Sequence, residues 1–187
     1  MFRLPFLFIA TGLVLFGLFN LATILQASGW ILQPPRSPSG WLYVHWLILG
    51  WATMIAMGAV YQLISVVLQR DVYSRRLGYI QFGVYTAGSL GLLAGFAFFR
   101  VQWIALFAVL ALIGILLFVL NIGVTIVQAA RWNAITLSSA SALLYLLLTG
   151  LVGLLMGQNL PSGCGRHGMT ASFSPISGWG RSGGSVC

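Results

Sequence analysis

Five long apolar segments constrain the fold of this chain more than any other feature. They cover residues near 5–26, 41–68, 79–99, 104–129 and 137–156. Each has about 20 residues or more, the length that an α-helix needs to cross the hydrocarbon core of a bilayer. Because lipid offers the backbone no hydrogen-bond partners, segments of this kind fold as helices. The sequence therefore predicts an all-α, polytopic transmembrane bundle of about five helices over residues 1–157.

The composition excludes a soluble protein. Hydrophobic residues make up 59% of the chain and charged residues 5%. A soluble domain of 187 residues cannot bury so much apolar surface. The net charge of +8 comes from arginines that mostly stand singly between apolar segments, a pattern typical of topology signals at helix ends. We expect a multi-pass protein of the cell inner (cytoplasmic) membrane, in contact with the lipid bilayer and with no nucleic-acid partner.

The distribution of arginines predicts the orientation of the bundle. Outside the C-terminal tail, Arg36 and Arg100 fall on one side of the predicted bundle. The other side carries Arg3, Arg70, Arg75, Arg76 and Arg131. Because short cytoplasmic loops are enriched in basic residues, the second group should be cytoplasmic. The N-terminus is then cytoplasmic, and the second apolar segment begins at the outer face.

His45 lies near the beginning of that second segment, in W-L-Y-V-H-W-L-I-L-G-W at 41–51. Histidines flanked by aromatic residues such as Trp41, Tyr43 and Trp46 occur at the level of lipid headgroups without any special role. An ionisable residue inside a transmembrane segment is otherwise a functional candidate, and imidazole is a common ligand of heme iron. The residues alone leave both interpretations open. Tetrahedral zinc or copper would need more donors than this bundle offers.

The pattern H-x-x-x-x-G-W-x-x-M-x-x-x-G-A-x-Y-Q-L, residues 45–63, resembles the second transmembrane helix of the heme–copper oxidase superfamily. The resemblance is to the catalytic subunit, like subunit I of cytochrome c oxidase, and is closest to the nitric oxide reductase branch. The matching positions are His45, Gly50, Gly58, Tyr61 and Leu63. The chain departs from the family at Ser65, where proline is usual. Useful similarity covers residues 41–96.

This resemblance implies that His45 is an axial ligand of a low-spin heme b, used for electron transfer or sensing. Gly50 and Gly58 would pack beside the heme, and Tyr61 would be a hydrogen-bond donor. Metal would be held only through the heme iron, with no copper. In that family the copper ligands, the high-spin heme ligand and the second axial histidine come from later helices, which are absent here. This chain alone could not perform that catalysis, whereas a full-length relative could be an oxidoreductase.

The missing second ligand has consequences for partners. The resemblance implies an N-terminal fragment that is completed by C-terminal helices or by another membrane subunit. Two alternatives need no heme: a non-catalytic packing or assembly subunit, and a transporter module. A transporter is less favoured because the apolar segments contain no acidic relay.

Residues 158–187 differ in character from the rest of the chain. They are rich in glycine and serine and show no helical periodicity. One interpretation is a disordered C-terminus. The other is a frameshift, because back-translation with a one-nucleotide shift permits an apolar, histidine-bearing string in place of residues 166–181. Cys164, His167 and Cys187 lack the second ligand pair that a metal site needs.

Overall fold

The computed structural model describes residues 3–25, 38–69, 71–98, 100–129 and 134–158. The regular structure within these residues is helical. Its α-helices are α1 (Arg3–Leu25), α2 (Pro38–His45), α3 (Met54–Leu68), α4 (Arg75–Ala97), α5 (Val101–Ala129) and α6 (Ala134–Gln158). A π-helical segment, Trp46–Thr53, joins α2 to α3. These three elements form one continuous rod, which is called the second span below.

Within the described residues, five helical rods are long and apolar enough to cross a membrane. They are Arg3–Leu25, Gly40–Leu68, Arg75–Ala97, Val101–Gln128 and Ala134–Met156. The prediction of an all-α transmembrane bundle is confirmed, and the chain is a multi-pass membrane protein. The proposed tail, residues 158–187, lies outside the described residues except for the backbone of Gln158.

All five spans begin two to four residues earlier than hydropathy alone indicates, and α4 and α5 show this most clearly. α4 starts at Arg75 rather than near residue 79, because the Ser74 hydroxyl caps it and accepts a hydrogen bond from the Leu77 N–H at 3.2 Å. α5 starts at Val101 rather than near residue 104, where the Arg100 carbonyl accepts bonds from the N–H groups of Trp103 and Ile104. Both extra turns carry polar or charged residues, so they extend the helices beyond their apolar stretches.

Glycines allow the tightest contact in the bundle, between α4 and α5. A Cβ added to Gly88 would meet the backbone N of Ala111, and one added to Gly114 would lie 2.7 Å from the Cα of Tyr85. The two backbones therefore touch, as small residues permit in membrane helices. α1 packs against the second span, where Gly12 of α1 lies against Ile55. The fully buried side chains of Phe8, Met54, Met57, Tyr61, Tyr85, Phe118 and Ile122 fill the core.

α6 is the most peripheral of the five spans. Only 6% of its apolar stretch is buried, compared with 44% for α4. Leu143 is its buried apolar contact with the core, whereas Tyr145 and Met156 are each 71% exposed. One side of α6 therefore faces lipid or another protein along most of its length.

Candidate functional site

The His45 side chain has one nitrogen engaged. Its Nδ1 lies 2.7 Å from the carbonyl oxygen of Trp41, one turn back in the same helix. A carbonyl can only accept a hydrogen bond, so Nδ1 carries the proton and donates it. In the neutral imidazole, Nε2 then has the free lone pair. Ligating histidines commonly show this arrangement, in which a hydrogen bond at one ring nitrogen orients the other for a metal.

The imidazole sits between the second span and α4. Its ring centroid lies 4.7 Å from that of Phe96, with the planes inclined by 38°. Trp41 packs edge-on against the same phenyl ring at 6.5 Å. His45 is half-buried, and its neighbours Val44 and Ile48 are 48% and 51% exposed. The imidazole therefore stands at the margin of the bundle, with α4 on one side and the lipid-facing surface close by.

The π-helical segment begins directly after His45 and is held by three side-chain hydrogen bonds. The Thr53 hydroxyl donates to the carbonyl of Ile48 at 2.9 Å, and the Tyr85 hydroxyl of α4 donates to that of Leu49 at 3.1 Å. The Trp46 indole donates to the α1 carbonyl of Leu15 at 3.0 Å.

These bonds matter because π-helical turns are rare and are frequently found at functional sites. The Trp46 bond joins the segment to α1, and the Tyr85 bond joins it to α4. The two neighbouring helices together therefore fix the backbone that follows His45. In an α-helix each residue accounts for about 100° of rotation, whereas a π-helical turn is wider and contains more residues. The segment therefore changes the angle between side chains that come before it and side chains that come after it. The direction of His45 relative to α3 is thus set by tertiary contacts.

Gly50 and Gly58 are not brought together with the imidazole. A Cβ on Gly50 would lie 3.5 Å from Leu15 of α1, and one on Gly58 would lie 3.0 Å from the α1 carbonyl of Pro5. Gly58 thus lets α1 approach the second span closely, and Gly50 also faces α1, whereas His45 contacts α4. Their expected place beside a heme stays a prediction from the resemblance.

Tyr61 belongs to a buried hydrogen-bonded group at the other end of the bundle. Its hydroxyl donates to Gln81 Oε1 at 3.1 Å and accepts from Asn121 Nδ2 at 3.0 Å. Asn121 also donates to the Ser74 carbonyl and accepts from the Ser74 N–H, each at 3.1 Å. We call Tyr61, Ser74, Gln81, Asn121 and Thr125 the polar cluster. It joins the second span, α4 and α5 to the turn before α4.

An apolar groove of about 480 Å³ lies between the second span and α6. Its wall includes Ala56 and Val60 on one side and Ala142 on the other. The hydroxyls that line it are satisfied within their own helices, since Ser139 donates to the Ile135 carbonyl and Thr53 to that of Ile48. The groove therefore presents a hydrocarbon-like surface without an unbonded hydroxyl from these residues.

His45 is the candidate ligand in the described part of the chain. There, no group of three or more His, Cys, Asp or Glu residues could hold a metal ion. The donor chemistry of His45 would suit heme binding, because a neutral imidazole with a free Nε2 is a ligand that heme iron accepts. The described residues contain no other histidine, so a second histidine ligand would come from outside them.

Comparison of the chain with protein-family models, characterised proteins and solved structures gave no match. The expected relation of residues 41–96 to heme–copper oxidases therefore stays a prediction from the residues that carry it. Among the described residues, His45 is the candidate for the predicted chemistry, and its imidazole is hydrogen-bonded and oriented.

Proposed function

We propose that this chain is a helical membrane subunit of the cell inner membrane that binds heme b through His45 Nε2. The observation that supports the proposal is the Nδ1 hydrogen bond to the Trp41 carbonyl, which leaves Nε2 as the electron-pair donor. A bound heme would supply one-electron chemistry at its iron, suited to electron transfer or to sensing.

The neighbouring residues have positioning roles in this proposal. Phe96 limits rotation of the imidazole through ring contact at 4.7 Å. Tyr85 and Trp46 hold the π-helical segment from two sides and thereby keep the backbone after His45 fixed. Tyr61 bonds within the polar cluster near the opposite end of the span, and its expected hydrogen bond beside the heme stays a prediction from the resemblance.

A low-spin iron needs a second strong axial ligand, and this points to a partner. The second ligand would come from C-terminal helices in a longer relative, from another membrane subunit or from a second copy of the chain. His45 lies close to the lipid-facing residues Val44 and Ile48, so such a partner could reach it from that side. The chain itself provides binding and orientation, and any oxidoreductase activity would belong to the completed assembly.

The experiment is a titration of heme b into the purified full-length chain in detergent, followed at the Soret band. With one axial ligand, the wild type should give a five-coordinate, high-spin spectrum that added imidazole converts to low spin. The His45→Ala variant should bind at least about tenfold more weakly, which corresponds to about 1.4 kcal/mol. His167→Ala, the matched control at the other histidine of the chain, should bind like the wild type. Equal binding by wild type and His45→Ala would contradict the proposal.

A second candidate is a packing or assembly subunit without heme, and the exposure of α6 favours it. A helix that buries only 6% of its apolar stretch leaves a long surface for another membrane helix. In this case the wild type would give no Soret band, and His45→Ala would leave fold and partner binding unchanged. The titration above thus separates the two candidates.

A further inference from the structure

The ends of α1 and α4 that carry arginine lie side by side. The Leu4 side chain of α1 contacts the position where Gly78 of α4 lacks a Cβ. Gly78 is one turn into α4, and its N–H donates to the Ser74 carbonyl at 3.2 Å. Arg3 precedes Leu4, and Arg75 and Arg76 begin α4. The three arginines therefore lie at the same end of the bundle, and we call them together the arginine face.

The positive charge of the arginine face is only partly neutralised. Asp71 pairs with Arg75 at 2.8 Å, with both side chains about half exposed. Asp71 is the one acidic residue of the whole sequence, so no other side-chain carboxylate exists for Arg3 or Arg76. Both of these arginines are exposed. The face therefore has an unbalanced charge that an anion from outside the chain can neutralise.

Helix polarity increases this imbalance. α1 and α4 both begin at the arginine face, and neither has an acidic residue in its first turn. The amino end of a helix carries partial positive charge, which favours anions and disfavours arginine. Three arginines near two such ends have an unfavourable arrangement unless negative charge lies next to them.

The position of the arginine face relative to the membrane indicates which kind of anion it meets. Phe6, only one turn into α1, is 67% exposed, and Ile80 of α4 is 58% exposed. Apolar side chains exposed on a membrane span face lipid, so the hydrocarbon region begins within about a turn of the arginines. Guanidinium groups at this height lie at the level of the lipid phosphates, which they bind through paired hydrogen bonds.

We propose that the arginine face binds the headgroup of an anionic phospholipid, with Arg3 and Arg76 as its main contacts. This inference is independent of heme binding. Arg100 provides a matched control, because it is a single exposed arginine that precedes α5 at the opposite end of the bundle.

The test measures binding of phosphatidylglycerol to the full-length chain in neutral detergent by native mass spectrometry. Arg3→Gln and Arg76→Gln should each weaken binding about fivefold, the factor for about 1 kcal/mol per basic residue near an anionic surface. The double variant should lose about 25-fold if the two contributions add. Asp71→Asn, which frees Arg75, should bind more tightly, and Arg76→Lys should lose less than Arg76→Gln.

Three results would overturn the proposal. The first is equal binding of phosphatidylglycerol and phosphatidylcholine to the wild type. The second is a loss in Arg100→Gln as large as that in Arg76→Gln. The third is displacement of the lipid by inorganic phosphate at millimolar concentration, because the face would then recognise a free anion rather than a lipid. A helical far-UV circular dichroism spectrum confirms that each variant is folded.

Discussion

Replacement of Asn121 by alanine removes three hydrogen bonds from the polar cluster. Asn121 is fully buried and bonds the Tyr61 hydroxyl at 3.0 Å and both backbone groups of Ser74 at 3.1 Å. Buried side-chain hydrogen bonds in a membrane protein contribute about 0.6 kcal/mol each, so three bonds amount to about 2 kcal/mol. We expect Asn121→Ala to lower the free energy of unfolding by about 2 kcal/mol.

Asn20→Ala is the matched control for this prediction. Asn20 is exposed, and its side chain donates only to the Phe16 carbonyl of its own helix. Its replacement should change the free energy of unfolding by less than about 0.5 kcal/mol. The assay is equilibrium unfolding of both variants in mixed micelles by added dodecyl sulfate, followed by far-UV circular dichroism. A difference between the two variants below about 0.5 kcal/mol would refute the view that the polar cluster holds the helices together.

Two further substitutions test the helix contacts in the same assay. Gly88→Ala should destabilise the chain by about 1–3 kcal/mol, because the new methyl group meets the backbone of α5. Gly83→Ala on the same helix is the control, because the added methyl group has nothing within 4 Å. It should leave stability unchanged or increase it by up to about 1 kcal/mol. Equal effects of the two substitutions would contradict the close α4–α5 packing. Tyr85→Phe should cost about 1 kcal/mol, because the Leu49 carbonyl of the π-helical segment loses its donor. The exposed Tyr145→Phe should cost less than about 0.5 kcal/mol, and a Tyr85→Phe effect no larger than this would show that the bond does not support the segment.

The number and approximate position of the spans could be predicted from hydropathy. Twenty apolar residues in a row leave few alternatives to a membrane helix, and all five spans follow from this constraint. The exact ends of the helices could be predicted less well. The start of α4 depends on the Ser74 cap, which lies in a polar stretch where hydropathy gives no signal.

The candidate site could be predicted only at His45 itself. The π-helical segment has no proline or other local marker, and it depends on hydrogen bonds to α1 and α4. The Tyr85 hydroxyl and the Leu49 carbonyl are 36 residues apart, so no local pattern could indicate that they meet. The sequence also could not predict that Gly50 and Gly58 face α1. A helical wheel shows which residues share a face of a helix, but it does not show which neighbouring helix lies on that face.

The polar cluster shows the same limit. Asn121 was recognisable as a polar residue within an apolar segment, for which a bond to a neighbouring helix is usual. Its partners, however, are 47 and 60 residues away in the sequence. Gln81, whose side chain is fully buried, also contacts Met57 Sδ at 3.3 Å, a pairing that becomes visible only once the helices are packed.

The reduced-minus-oxidised heme spectrum of a His45→Gly variant, with and without imidazole, tests the proposed function most directly. Removal of the ring should abolish the heme band, and free imidazole should restore it by entering the space that the side chain vacates. Rescue of this kind separates loss of a ligand from loss of fold. An unchanged heme band in His45→Gly without imidazole, or no band in the wild type, would contradict heme ligation by His45.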